Sequence, residues 1–172
     1  MKLYVGTYKK YNEGSLDGDW IDLDDFNCKE DFLEKCYEIH KDEDDPELMF
    51  QDNEYEYDWE EKFYSECSIS EDYWEVKKEI ERLHVDNDMF DAWLSNESCG
   101  NTPTAEDVKR ALDQFVGKYN SDAEYAQEWY ENSNDPLLKS NLANYIDWDE
   151  VFNYEFQYDT FSSNGYYFDS NR

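Results

Sequence analysis

Apolar and aromatic residues recur along this chain in short runs whose spacing is strand-like at the start and helical further on. Residues 3–8 (LYVGTY) alternate, with Leu3, Val5 and Thr7 on one face, which predicts a strand. Residues 11–18 (YNEGSLDG) read as a glycine-punctuated turn and residues 19–23 (DWIDL) as a second strand. Asn27, with Glu30 three positions on, predicts a helix start, and Phe32, Cys36 and Ile39 line one face of that helix up to about His40. A loop follows (KDEDDPE, 41–47). Leu48 to Phe50 then make a short third strand, before the very acidic QDNEYEYDWEE of 51–61.

From Ser68 the pattern is helical. Ser68 and Glu71 match a capping box, and Tyr73, Val76, Ile80 and Leu83 fall at heptad-like spacing. Met89, Phe90, Trp93 and Leu94 predict a second helix, which Gly100 stops. Thr102-Pro103-Thr104 opens a third, with Val108, Ala111, Leu112, Phe115 and Val116 on one face and Gly117 as its C-terminal stop. Ser121 with Glu124 caps a fourth, carrying Tyr125, Trp129 and Tyr130.

The stretch 137–168 sets aromatic residues at helical spacing among acids, with no lysine or arginine from Ser140 until Arg172. It predicts a helix to about Ile146, a break at Asp147, and a second helix to about Tyr158, with Asp147 as cap and Glu150 completing the box. The expected fold is therefore α+β: a small N-terminal sheet plus helix, then a mostly helical remainder. Seams near Glu61 and Thr102 divide it into 1–60, 61–103 and 104–172.

Composition changes this picture in one respect. The 172 residues carry 45 Asp and Glu against 15 Lys and Arg, a formal net charge of -30. Such a balance ordinarily signals disorder, but disordered chains are poor in aromatics and this one is 19% Phe, Trp and Tyr. The chain is read as folded, with a strongly acidic surface. That surface repels nucleic acid and anionic lipid, so the expected partner is a basic surface. Cys28, Cys36, Cys67 and Cys99 lie far apart with only two His, a pattern that fits reduced thiols rather than zinc. No signal-peptide run opens the chain and no stretch approaches a bilayer span, so a cytoplasmic location in a bacterial host is expected.

Candidate chemistry is sparse. Carboxylate pairs occur throughout, so none stands out as a general acid and base. Asp86, Asp88 and Glu97 fall at calcium-loop positions 1, 3 and 12, but Phe90 occupies position 5 and Asp91 stands where the turn glycine is needed. Met89, Phe90 and Trp93 look instead like core. Gly14 and Gly18 lack the lysine of a phosphate loop and have Glu13, Asp17 and Asp19 as neighbours. His40 and His84, near helix ends, read as structural or solvated. No enzyme, cofactor or metal is expected. What remains is the charge. Duplex DNA carries one negative charge per about 1.7 Å, so thirty charges match about 50 Å of duplex and a dimer about 100 Å.

Tyr11, Asn12, Glu13, Gly14, Gly18 and Trp20 stand where the ArdA antirestriction family has a YNEG turn and a G-x-W after its first strand. FVGKYNSDAEYAQEW (115–129) is similar to that family's middle region. NLANYIDWDEVFNYEF (141–156) resembles its antirestriction motif and is followed by an aromatic tail, here GYYF; Asn153-Tyr154-Glu155 stand where the family often has a basic residue.

The resemblance implies a non-enzymatic inhibitor of type I restriction–modification enzymes. Its partners would be the specificity and methylation subunits of that enzyme. It further implies an elongated chain of three small domains that dimerises through its C-terminal part and imitates bent DNA, protecting mobile-element or phage DNA. The candidate partner-binding acids are Asp17, Asp19, Asp22, Asp24, Asp25, Glu54, Glu56, Asp58, Glu60, Glu61, Glu66, Glu71, Asp72, Glu75, Glu79, Asp147, Asp149, Glu150 and Glu155. Leu142, Ala143, Tyr145, Ile146, Trp148, Val151, Phe152 and Phe156 are candidates for structure or for the contact within a homodimer. Two other classes stay open on charge alone: an inhibitor of a different DNA-binding defence or nucleoid protein, and an acidic chaperone of basic proteins.

Overall fold

The computed structural model describes residues 1–96, 102–133 and 136–172, with the backbone alone at Leu137. The fold is α+β, and its contacts divide into two compact units: Met1–Asp91 with Cys99–Val108, and Ala92–Ser98 with Lys109–Arg172.

In the first unit β1 (Lys2–Thr7) is the middle strand of an antiparallel sheet, between β2 (Asp19–Asp22) and β3 (Leu48–Glu54). Leu3, Val5 and Thr7 are all fully buried, as their alternation predicts. β3 runs four residues beyond Phe50, because pairing with β1 continues through backbone bonds where the side chains of 51–54 no longer need a core. The turn expected at 11–18 is preceded by a helical turn, α1 (Tyr8–Asn12), which Thr7 caps by accepting from the Lys10 amide at 3.2 Å. Gly18 is demanded by a close approach: a Cβ there would sit on the carbonyl oxygen of Val5.

After a 3-10 turn at Leu23–Asp25 comes α2 (Lys29–Ile39). Its cap position is Cys28, without a side-chain bond, so the Asn27 cap is one residue off. Phe32 and Cys36 are buried, and burial pushes the Cys36 thiol up to about 12. His40 is fully buried at the helix end, its Nε2 3.2 Å from the Val5 carbonyl and its Nδ1 3.2 Å from Lys10 Nζ. An ammonium has no acceptor, so Nδ1 accepts and Nε2–H donates. The ring is structural.

Next come α3 (Asp58–Glu61), a hairpin of β4 (Tyr64–Ser65) and β5 (Ser68–Ile69), then α4 (Asp72–Leu83) and α5 (Asn87–Leu94). The Ser68 capping box is corrected: Ser68 pairs with Ser65 in the hairpin, and Ser70 Oγ accepts from the Asp72 amide at 3.3 Å. α4 buries Tyr73, Trp74, Val76 and Ile80. Rings link Phe50 to Phe32, Phe32 to Trp74, and Tyr73 through Trp59 to Phe90, so residues on both sides of Glu61 share one core. α5 buries Met89, Phe90, Trp93 and Leu94 as expected, while Gly100, its expected stop, lies outside the described residues with Cys99.

The second unit departs further from a helical reading. α6 (Ala105–Gln114), which begins in the first unit and ends in the second, opens at Thr104, whose Oγ1 accepts from the Asp107 amide at 3.4 Å. It ends before Phe115, and Phe115–Lys118 is strand β6, so Gly117 stops no helix. β6 pairs with β8 (Tyr166–Asp169), which pairs with β7 (Thr160–Ser163), giving the order β6-β8-β7. The β7–β8 turn is Asn164-Gly165, both at positive φ (51° and 82°), the two-residue turn that matches strand twist. α7 (Asp122–Ser133) is capped as expected, the Glu124 amide donating to Ser121 Oγ at 3.2 Å. In place of a helix up to Ile146 there are 3-10 turns at Pro136–Lys139 and Asn141–Tyr145. α8 (Trp148–Glu155) is capped by Asp147 as expected, but stops three residues short of Tyr158 because the chain must turn into β7. Its core joins Tyr125, Ala126, Phe152, Phe156 and Tyr167.

Candidate interaction surface

The acids are best judged by how each carboxylate is held. In the first unit Asp17, Asp19, Asp24, Asp25, Glu54, Glu56, Asp58, Glu61, Glu66, Glu71 and Glu75 are exposed. In the second, Asp147, Asp149, Glu150 and Glu155 are exposed. Asp22 and Asp72 are half-buried and spend oxygens on local bonds, from the Asp24 amide at 3.1 Å and from Ser70 Oγ at 2.9 Å.

Others of the predicted set are engaged inside the protein. Glu60 is buried: its Oε1 lies 3.0 Å from the Met1 amine and 3.1 Å from the Tyr73 hydroxyl, while its Oε2 accepts from the amides of Glu56 and Tyr57. A carboxylate so placed holds α3 to the sheet. Glu79 is mostly covered and paired with Arg82 at 2.6 Å. Asp24 pairs with Lys77; burial pushes its carboxyl up, but Lys77 and the nearby Met1 amine prevail and hold it below the usual range. Asp17 shares Lys10 with Asp42.

Lysine and arginine are too few to orient the remaining carboxylates, and tyrosine takes that role. The Tyr57 hydroxyl donates to Glu56 at 3.3 Å and the Tyr167 hydroxyl to Asp122 at 2.7 Å. Tyr8 is raised above its ordinary value by burial and by bonding to Glu66, and Tyr55 by the charge of Glu61 first and then by burial. A phenol is a neutral donor at neutral pH, so it fixes a carboxylate without cancelling its charge. The sequence carries the signal, because its 16 Tyr sit among 45 acids.

The 142–156 motif is divided in two by burial. Phe152 and Phe156 are buried against Tyr125, at centroid distances of 5.7 and 5.2 Å, and Ala143, Ile146, Trp148 and Val151 are half-buried. Leu142 is 61% and Tyr145 86% exposed, so neither is a buried anchor among the described residues. Tyr154 and Tyr158 are exposed beside them in sequence. β6, β7 and β8 are the strands of this unit that a helical reading misses. The Asn164-Gly165 dipeptide before YYF was the available hairpin signal.

Among the described residues no three His, Cys, Asp or Glu side chains gather to hold a metal ion. Asp86 and Asp88 form a local turn, the Asp88 amide donating to Asp86 at 3.0 Å, and Glu97 lies outside the described residues. Cys28, Cys36 and Cys67 are free thiols. No helix among the described residues is long and apolar enough to cross a membrane. A family model described as antirestriction protein (ArdA) matches residues 3–168. No curated protein matches the chain.

Proposed function

Because this chain belongs to the ArdA family of antirestriction proteins, we propose that it inhibits type I restriction–modification enzymes by occupying their DNA-binding groove, as a DNA mimic. The observation that carries the reading is the net charge of -30, with most of the exposed carboxylates left unneutralised while tyrosines orient several of them. A surface of this kind offers a basic groove what phosphates offer it, namely fixed negative charge with acceptor oxygens. Its targets in the enzyme are the specificity and methylation subunits. The inhibitor turns over nothing and uses no cofactor, and it protects incoming mobile-element or phage DNA in the bacterial cytoplasm. Of the expected seams between 1–60, 61–103 and 104–172, the one near Thr102 is part of the proposal, with limited proteolysis as its check, whereas residues on both sides of Glu61 share one core.

Homodimerisation belongs to the same proposal. Leu142 and Tyr145, exposed in a motif whose Phe152 and Phe156 pack inward, supply an apolar contact for a second copy. Inhibition kinetics test the whole reading. Activity should fall linearly with added protein until stoichiometry is reached, and should return on dilution or with excess duplex. Loss of activity that continues to grow with incubation time at substoichiometric protein would show a catalytic inactivator and overturn it.

A further inference from the structure

The second unit contains a cavity of about 460 Å³ lined by Val116, Tyr119, Tyr125, Glu128, Trp129 and Asn132. β6 contributes Val116, the loop after it Tyr119, and α7 the rest. Tyr125 is buried, with one face stacked on Tyr167 at 5.1 Å, and Tyr119 meets it edge-on at 5.2 Å. Trp129 is 48% exposed, its ring braced edge-on by Phe156 at 5.4 Å and Tyr130 at 5.0 Å. The cavity thus combines three aromatic rings, one of them open to solvent, with the exposed carboxylate of Glu128, and no lysine or arginine is among its described lining.

We infer that this cavity is a seat for one arginine side chain of a protein partner, the guanidinium stacking on Trp129 and paired with Glu128. An aromatic face attracts a cation through its quadrupole, and arginine, planar and weakly hydrated, stacks better than lysine. Charge complementarity selects a cation over an apolar occupant, since the chain carries -30 overall. The Tyr119 hydroxyl is raised by burial and then by Glu128, Tyr125 and Glu124, which marks the field at the cavity wall as negative. The unit seats its own cations in the same way: Lys118 Nζ lies 4.3 Å from the Tyr166 ring centroid, and the Arg110 guanidinium 5.2 Å from that of Trp93. The inference rests on the reading that the partner is an arginine-bearing DNA-binding surface. It adds a directed contact to what is otherwise a diffuse field.

The test is a titration of the full chain with Nα-acetylarginine amide, followed by amide and indole NMR shifts. Nα-acetylcitrulline amide, the neutral isostere, is the control. The inference predicts saturable shifts centred on Val116, Tyr119, Glu128 and the Trp129 indole, with no such response to citrulline. Trp129→Ala should weaken binding roughly fivefold, the loss of one half-exposed cation–π contact. Glu128→Gln should weaken it too while melting like the parent, since this side chain is exposed. Unsaturable shifts scattered over acidic positions of both units, an equal response to citrulline, or Glu128→Gln binding as the parent does would overturn it. So would Trp129→Ala changing the oligomeric state while leaving arginine binding as in the parent, because the cavity would then serve a second copy. No restriction enzyme takes part, so failure here leaves the occupation of a DNA groove standing, and failure of inhibition leaves the arginine seat standing.

Discussion

Two carboxylates behave unlike the other acids because of what surrounds them. Glu60 is buried among the Met1 amine, the Tyr73 hydroxyl and two backbone amides. Glu60→Ala should therefore cost about 3 kcal/mol or more, the usual loss when one partner of a buried charged cluster is removed, read as a lower denaturation midpoint at unchanged slope. Asp91 accepts from the Asp58 and Trp59 amides at 3.0 and 2.6 Å, yet burial pushes its carboxyl up to about 6, with Asp58 and Asp88 adding repulsion. A folded-state value above the ordinary one near 4 means that the protonated form is favoured on folding. Stability from this group is present below that ordinary range and is lost as pH rises through about 6. The melting temperature of the parent should fall relative to that of Asp91→Asn, which cannot ionise, as pH rises from acid to neutral. A difference constant with pH would refute the assignment. Nothing in the sequence separated Glu60 and Asp91 from dozens of similar acids. Their character comes from partners distant in the chain, the Met1 amine 59 positions and Tyr73 13 positions from Glu60, and the Asp58 and Trp59 amides 33 and 32 positions from Asp91, which no local pattern contains.

Elements were legible where a periodic apolar stripe was long enough. Tyr73, Val76 and Ile80 marked α4, and Leu3, Val5 and Thr7 marked β1, because a core that needs one face fixes the period of the other residues. Short elements were not. FVGK continues the apolar face of α6 in sequence, but Phe115 and Gly117 pair with Phe168 and Tyr167. The sheet outcompetes one more helical turn because β8 exists elsewhere in the chain. Cap residues misled for a similar reason: Ser68 is taken by the β4–β5 pairing before it can serve a helix. The 142–156 motif now makes a divided prediction. Phe152→Ala, at the centre of the second core, should cost about 3–5 kcal/mol in thermal or urea unfolding. Tyr145→Ala, exposed as it is, should leave the protomer's fold unchanged and weaken self-association in light scattering. If Tyr145→Ala unfolds the chain, Tyr145 is an anchor of the protomer and not a contact for a second copy.

Across the whole molecule, charge was the most legible property and shape the least. The excess of acids can be counted in the sequence, and the field it makes depends on the sum more than on any one side chain. Single neutralisations at exposed positions, such as Glu66→Gln or Asp149→Asn, should therefore change target affinity less than about fivefold. Neutralising many in one region should abolish binding. Affinity for the restriction enzyme should fall as salt rises, by the same screening that weakens DNA binding, and an affinity flat across a salt series would point to an apolar interface instead.

If this chain and DNA compete for one surface, as proposed, the chain must displace bound duplex. A type I enzyme is bound to a fluorescent duplex bearing its recognition site, and the protein is titrated in while anisotropy reports bound DNA. Competition should give full release of the duplex, with the concentration required rising in proportion to the free duplex present. A ternary complex that inhibits cleavage while the duplex stays bound would contradict it.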